Sequence, residues 1–150
     1  GSEKEVQAML GLWLNRKNIK GIVNHHSYGN KIMYPWGVTQ EHVANEKLYK
    51  EIAYKMQEAS KEDGYTVGQS SGMYPASGDP DDFAHANGRL SFTIELGDSF
   101  QPDQSEMEHI ARNVYNANMA FLDWMLDNKE KLNTLEEQKF TPANSPAITI

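Results

Sequence analysis

Ile19-Lys20-Gly21-Ile22-Val23-Asn24-His25-His26-Ser27-Tyr28-Gly29-Asn30-Lys31-Ile32-Met33-Tyr34-Pro35 is the stretch on which the fold class turns. Ile22 and Val23 centre a strand short enough to be buried, and it leads directly into a pair of histidines. Gly29-Asn30 reads as a turn, and Lys31 to Tyr34 as a second strand that Pro35 ends, because proline offers no N–H to a ladder.

Outward from there the chain alternates. Upstream, Ser2 and Glu5 fit a capping box, followed by Val6, Met9, Leu10 and Trp13 at helical spacing, so a helix is expected to about Asn15. Downstream, Thr39 is the expected N-cap of a helix through about Ser60, with Leu48, Ile52, Met56 and Ala59 on one face and Gly64 closing it. Tyr65 to Gln69 is a third short strand. The segment from Ser70 to Gly88, rich in Gly, Pro and Asp, reads as one long irregular loop, and such loops in compact domains are commonly functional. Leu90 to Leu96 alternates and is a fourth strand. Pro102 and Ser105 introduce a last helix with Met107, Ile110, Ala111, Val114, Phe121 and Met125 as one stripe. Helices alternating with short apolar strands predict an α/β fold, a mixed β-sheet flanked by helices. A single domain over residues 1–134 is expected, with 135–150 as a tail, probed by loss of periodicity after Thr134.

Composition narrows the function. The 150 residues are 39% hydrophobic and 23% charged, which is the globular range. No apolar run approaches the roughly 20 residues of a membrane span, so no membrane partner is expected. With no cysteine, disulfides, thiolate catalysis and Cys-based zinc sites are excluded. Twenty-one acidic against 14 basic residues give a net charge of −7, which argues against nucleic acid held through its phosphates.

Two strands end in polar residues: Asn24-His25-His26 after Ile22-Val23, and Glu95 within Phe92-Thr93-Ile94-Glu95-Leu96. Ligands of open α/β sheets bind beyond the carboxyl ends of strands. There an imidazole can ligate a metal and a carboxylate can act as base on water, although a hydrogen-bonded core histidine and an ion-paired glutamate fit the same pattern. His42, His85 and His109 have no partners at metal-ligand spacing. Gly68-Gln69-Ser70-Ser71-Gly72 lacks the lysine of a phosphate-binding loop.

Three motifs in register then carry a resemblance. His26-Ser27-Tyr28 followed by Met33-Tyr34-Pro35-Trp36-Gly37, then Tyr74-Pro75-Ala76-Ser77-Gly78, then Phe92-Thr93-Ile94-Glu95-Leu96-Gly97-Asp98 resemble segments of the zinc metallocarboxypeptidases of the M14 peptidase family. The opening Ser2-Glu3-Lys4-Glu5 is similar to the family's helix start. The resemblance implies a zinc-dependent hydrolase of C-terminal peptide bonds, acting on peptide or protein C-termini and secreted. It implies His26 as a zinc ligand and Glu95 as general base on zinc-bound water. Tyr74 matches the mobile tyrosine that closes over the substrate carboxylate. Asp81 matches the position lining the pocket for the C-terminal side chain, where a carboxylate suits lysine or arginine; Asp79, Asp81 and Asp82 equally fit a solvated turn and helix cap.

The family's H-x-x-E pair of zinc ligands is not found here, nor are its substrate-holding arginines, since Arg16, Arg89 and Arg112 lie elsewhere. The resemblance therefore implies the C-terminal half of the catalytic domain, four strands of an eight-stranded sheet. Such a fragment is expected to bind zinc weakly, to be inactive alone, and to self-associate through the sheet edge that the strand ending at His26 exposes. An aspartoacylase-like amidohydrolase and a non-catalytic carboxypeptidase-like module remain as alternatives.

Overall fold

The computed structural model describes residues 3–60 and 64–137. Four strands form one mixed sheet in the order β1-β4-β2-β3, with β1 Gly21–His26, β2 Lys31–Tyr34, β3 Thr66–Gln69 and β4 Leu90–Glu95. β1 runs parallel to β4 and β2 parallel to β3, while β2 and β4 are antiparallel. Five helices accompany them: α1 Lys4–Asn15, α2 Glu46–Ala59, α3 Pro80–Ala86, α4 Gln104–Asp127 and α5 Lys129–Glu137. The mixed sheet flanked by helices is thus the one the sequence leads us to expect.

Side chains alternate across a strand, so register assigns each face. Leu90, Phe92 and Ile94 of β4, with Ile32 and Tyr34 of β2, form the apolar face. They are buried against Tyr49, Ile52, Ala53 and Met56 of α2 and Ala117, Phe121 and Trp124 of α4. Each such side chain contributes about 1.5–3 kcal/mol when fully buried. Asn24, His26, Ser91, Thr93, Glu95, Lys31 and Met33 share the opposite face, by the pairings His26↔Glu95, Asn24↔Thr93, Lys31↔Glu95 and Met33↔Thr93. Only part of that face is covered, by α3.

Local departures from the expected elements have identifiable causes. The capping Ser2 lies outside the described residues, and of the α1 stripe only Trp13 is buried, with Val6 and Met9 exposed. Trp13 packs on Phe83, and the Arg89 guanidinium donates to the carbonyl oxygen of Trp13. α2 begins at Glu46 rather than after Thr39. The carbonyls of Trp36, Thr39 and Glu41 accept from the Gln69 side chain instead of from helical N–H groups, which holds that stretch as a loop. The expected loop from Ser70 to Gly88 contains a 3₁₀ turn at Ser70–Gly72 and the helix α3. Asp79 caps α3 by accepting from the Asp81 N–H at 2.9 Å, and Pro80 takes the first helical position, a standard start signal. In α4 the buried residues are Asn113, Ala117, Phe121 and Trp124, and Met107 is exposed. α5 carries Leu132 and Leu135 into the core; all but the first residues of the expected tail lie outside the described ones.

Gly21 is the tightest point between β1 and α4. A Cβ there would sit 2.6 Å from Phe121 Cζ and 2.7 Å from Met125 Sδ, whereas one on Gly68 meets nothing within 4 Å. Gly21→Ala is therefore expected to cost about 1–3 kcal/mol in urea unfolding by overpacking. Gly68→Ala should stay within about 1 kcal/mol of the parent.

Candidate active site

β1 and β4 end side by side and point the same way. His26 and Glu95 are therefore cross-strand neighbours on the polar face, and the Leu96 N–H donates to the His26 carbonyl at 2.8 Å. The turn that follows β1 is fixed to the loop after β4, because the N–H groups of Gly29 and Asn30 both donate to the Gly97 carbonyl, at 2.8 and 3.1 Å. Both side chains line a cavity of about 200 Å³ with Met33, Met73, Tyr74, Ala76, Asp79 and Thr93.

The two groups differ in setting. Glu95 is buried at 8% exposure, and its Oε2 has no hydrogen-bond partner among the described residues. Burial pushes its pKa up, while the nearby charges of His26 and Lys31 pull it back. His26 is exposed at the end of the sheet's outermost strand. An orphaned carboxylate oxygen beside an imidazole on the same face fits one metal ligand and one base. It does not amount to a complete zinc site, since no cluster of three or more His, Cys, Asp or Glu is gathered among the described residues. His25 points to the other face, where its Nε2 lies 3.1 Å from the Asn118 amide nitrogen, so it does not assist His26.

Tyr74 is 66% exposed at the cavity mouth, on the segment between the 3₁₀ turn and α3. That segment is anchored by the Ala76 N–H donating to the Gly37 carbonyl at 3.0 Å. Asp81 does not line this cavity. It is fully buried, accepting from Asn24 Nδ2 at 2.5 Å and Thr93 Oγ1 at 2.6 Å, while Ser91 donates to its carbonyl at 2.9 Å. As a first-turn residue of α3 it faces the sheet, while its capping neighbour Asp79 lines the cavity together with Glu95. Asp82 is also inward, receiving the N–H groups of Gly37 and Val38 at 2.7 and 2.9 Å. Asn24, Thr93 and Asp79 were not singled out from sequence. Period-two alternation from His26 and Glu95 was the signal that reaches the first two. A larger depression of about 370 Å³ lies along β2 and β3, but it holds no imidazole or carboxylate.

The zinc carboxypeptidase family, Peptidase_M14, matches residues 1–117. The chain belongs to that family. Human carboxypeptidase A5 is 35% identical over 105 residues, covering 67% of this chain and 24% of that protein, and bovine carboxypeptidase B2 is 34% identical over 104 residues, covering 65% and 25%. The chain thus spans about a quarter of the length of the relatives it matches. Bovine thrombin-activatable fibrinolysis inhibitor, solved in complex with tick carboxypeptidase inhibitor, superposes with a TM-score of 0.77 at 27% identity, covering 85% of this chain and 47% of that one. A carboxypeptidase A from Helicoverpa armigera shares the fold at a TM-score of 0.79 and 21% identity.

Burial without a cation nearby raises the Asp81 pKa to about 7, with the charges of Asp79 and Asp82 adding to it against the Thr93 and Asn24 hydrogen bonds. A carboxyl raised on folding holds its proton in the native state where the unfolded chain, near 4, has lost it. Its contribution to stability therefore falls as pH rises from about 4 to about 7. Asp81→Asn should gain on the parent between pH 4.5 and pH 7.5 when urea midpoints are compared.

Proposed function

We propose that this chain is the C-terminal part of the catalytic domain of a zinc metallocarboxypeptidase that hydrolyses C-terminal peptide bonds. The observation that supports it most is the pairing of His26 with a buried Glu95, one of whose oxygens is unbonded, above a cavity of side-chain size. Glu95 is the general base: it takes a proton from the attacking water and passes it to the departing amine. Its raised pKa makes the carboxylate a better proton acceptor. The cavity holds the last side chain of the peptide, and Tyr74 at its mouth donates its phenolic hydrogen to the terminal carboxylate.

The zinc that the family's description names would take His26 as one ligand and needs others beyond the described residues. For that reason the isolated chain is proposed to be inactive. Peptide and protein C-termini are the proposed partners, in a secreted setting. The peptidase is favoured over an amidohydrolase because Tyr74 lies beside the cavity in the Tyr74-Pro75-Ala76-Ser77-Gly78 segment that resembles the carboxypeptidases. In the complete enzyme, Glu95→Gln should lower kcat at least about 100-fold while leaving metal content unchanged. Retained turnover would show that another group carries the proton.

A further partner is a second copy. β1 is outermost in the sheet, and α4 beside it exposes Tyr115, Met119, Leu122 and Leu126 at i, i+4, i+7 and i+11. Strand pairing at this edge would satisfy the backbone groups it leaves open. The net charge of −7 opposes association at low salt. Sedimentation equilibrium is expected to give a monomer–dimer equilibrium that shifts toward dimer as salt is raised; a clean monomer at high concentration and high salt contradicts it.

A further inference from the structure

β3 is the last strand of the sheet and pairs with β2. On that side the Thr66 N–H donates to the Asn30 carbonyl at 2.9 Å. The backbone groups of a strand alternate sides, so those of Gly68 follow Thr66, while the N–H and C=O groups of Val67 and Gln69 point to the open edge. Native edges are commonly guarded by a charge or a proline, and Thr66-Val67-Gly68-Gln69 has neither.

A depression of about 370 Å³ runs beside this strand and touches all four of its residues. On the polar face Gly68 stands next to Met33 with no side chain to cover it, and a Cβ there would meet nothing within 4 Å. Further along, Met73 follows the 3₁₀ turn into the lining. Among the described residues, Lys31 is the one charged group of the lining, opposite Thr66, and it forms no ion pair. Its charge acts on Glu95 only from a distance.

An extended segment laid along β3 answers each of these features. Main-chain pairing satisfies Val67 and Gln69, and room for alternate side chains supplies selectivity. A residue directly across from Gly68 leans over the bare glycine, where an aromatic ring covers most surface and meets the thioethers of Met33 and Met73. Two positions away, on the same face, a carboxylate across from Thr66 is drawn toward the Lys31 ammonium. The net charge of −7 repels acidic segments in general, so a preference for glutamate here is a local property of Lys31.

We propose that the open edge of β3 is a docking site for an extended protein segment with an aromatic residue and a glutamate two positions apart, the ring over Gly68 and the carboxylate toward Lys31. The site adjoins the cavity of Glu95, sharing Met33 and Met73 with it, but takes the interior of a chain rather than its end.

The peptide acetyl-Thr-Glu-Val-Phe-Thr-amide, blocked at both ends, is titrated into the ¹⁵N-labelled chain. Saturable shifts are expected at the amides of residues 66–69, with hydrogen exchange at Val67 and Gln69 slowed at least about tenfold and that at Gly68 little changed. Replacing the peptide's glutamate by lysine should weaken binding about fivefold, and Lys31→Gln should abolish that difference. Replacing its phenylalanine by alanine should weaken binding about tenfold. Gly68→Phe, which fills the depression from within, should do the same; the peptide variants leave the chain untouched, so the result does not depend on that variant folding. A peptide methylated on its Glu, Val and Phe nitrogens cannot pair in either direction and should not bind. Equal affinity of the glutamate and lysine peptides, binding of the methylated one, shifts confined to His25 and His26 or to Ala76 and Gly78, or no saturable shift below about 5 mM peptide overturns the inference. None of these outcomes bears on the peptidase reading.

Discussion

The parallel pairing of β1 with β4 couples everything else in the molecule. Because the strands run in the same direction and pair His26 with Glu95, their side chains emerge at one end of the sheet and on one face, while every alternate residue of β4 faces α2 and α4. A shift of one residue in that register would turn Glu95 into the apolar core and bring Ile94 out to the cavity. The packing of Phe92 and Ile94 against α4 and α2 forbids the shift, so the same contacts that stabilise the fold also aim the carboxylate. Fold and site share one constraint.

The polar face is organised by a second device, the buried carboxylate of Asp81. Burying it is costly, and the two hydrogen bonds it receives come from different strands, Asn24 of β1 and Thr93 of β4. Removing either donor would leave a buried oxygen unsatisfied. α3 is thereby fixed against both strands, and with it the capping Asp79 that reaches the cavity wall. A helix of seven residues has little stability of its own, so this polar anchor matters more to its placement than propensity does.

Much of this was legible in the residues. The Ile22-Val23 pair, the run Ile32 to Tyr34 and the alternation of Leu90 to Leu96 set out β1, β2 and β4, and the polar ends of β1 and β4 are the residues that line the cavity. What was not legible depended on contacts remote in sequence. Thr39 has the chemistry of an N-cap, but Gln69, thirty residues later, takes the carbonyls a helix would have used. Asp79-Pro80 carried a local helix start that the surrounding glycines obscured. Asp81 and Asp79 are indistinguishable by type and differ only in which side of a short helix they occupy, which emerges from α3 docking on the sheet rather than from the order of residues. The α1 stripe failed for a related reason, since only Trp13 finds a partner surface in Phe83 and Arg89.

The two halves of the site are unequally held, and this bears on how the chain would acquire activity. β4 is a central strand, and Glu95 is paired across it with His26 of β1 on one side and Lys31 of β2 on the other, with the apolar core on the opposite face of the same strand. β1 has a neighbour on one side only, and its last two residues, His25 and His26, are its most exposed. Opening free energy in a fold is lowest where backbone bonds face solvent and apolar contacts are few. Glu95 is thus firmly held while the His26 imidazole sits on the part of the sheet most able to fray. Whatever pairs with the free edge of β1 would stiffen His26 without touching Glu95. The placement of His26 is in this way coupled to what covers the edge, and that of Glu95 is not.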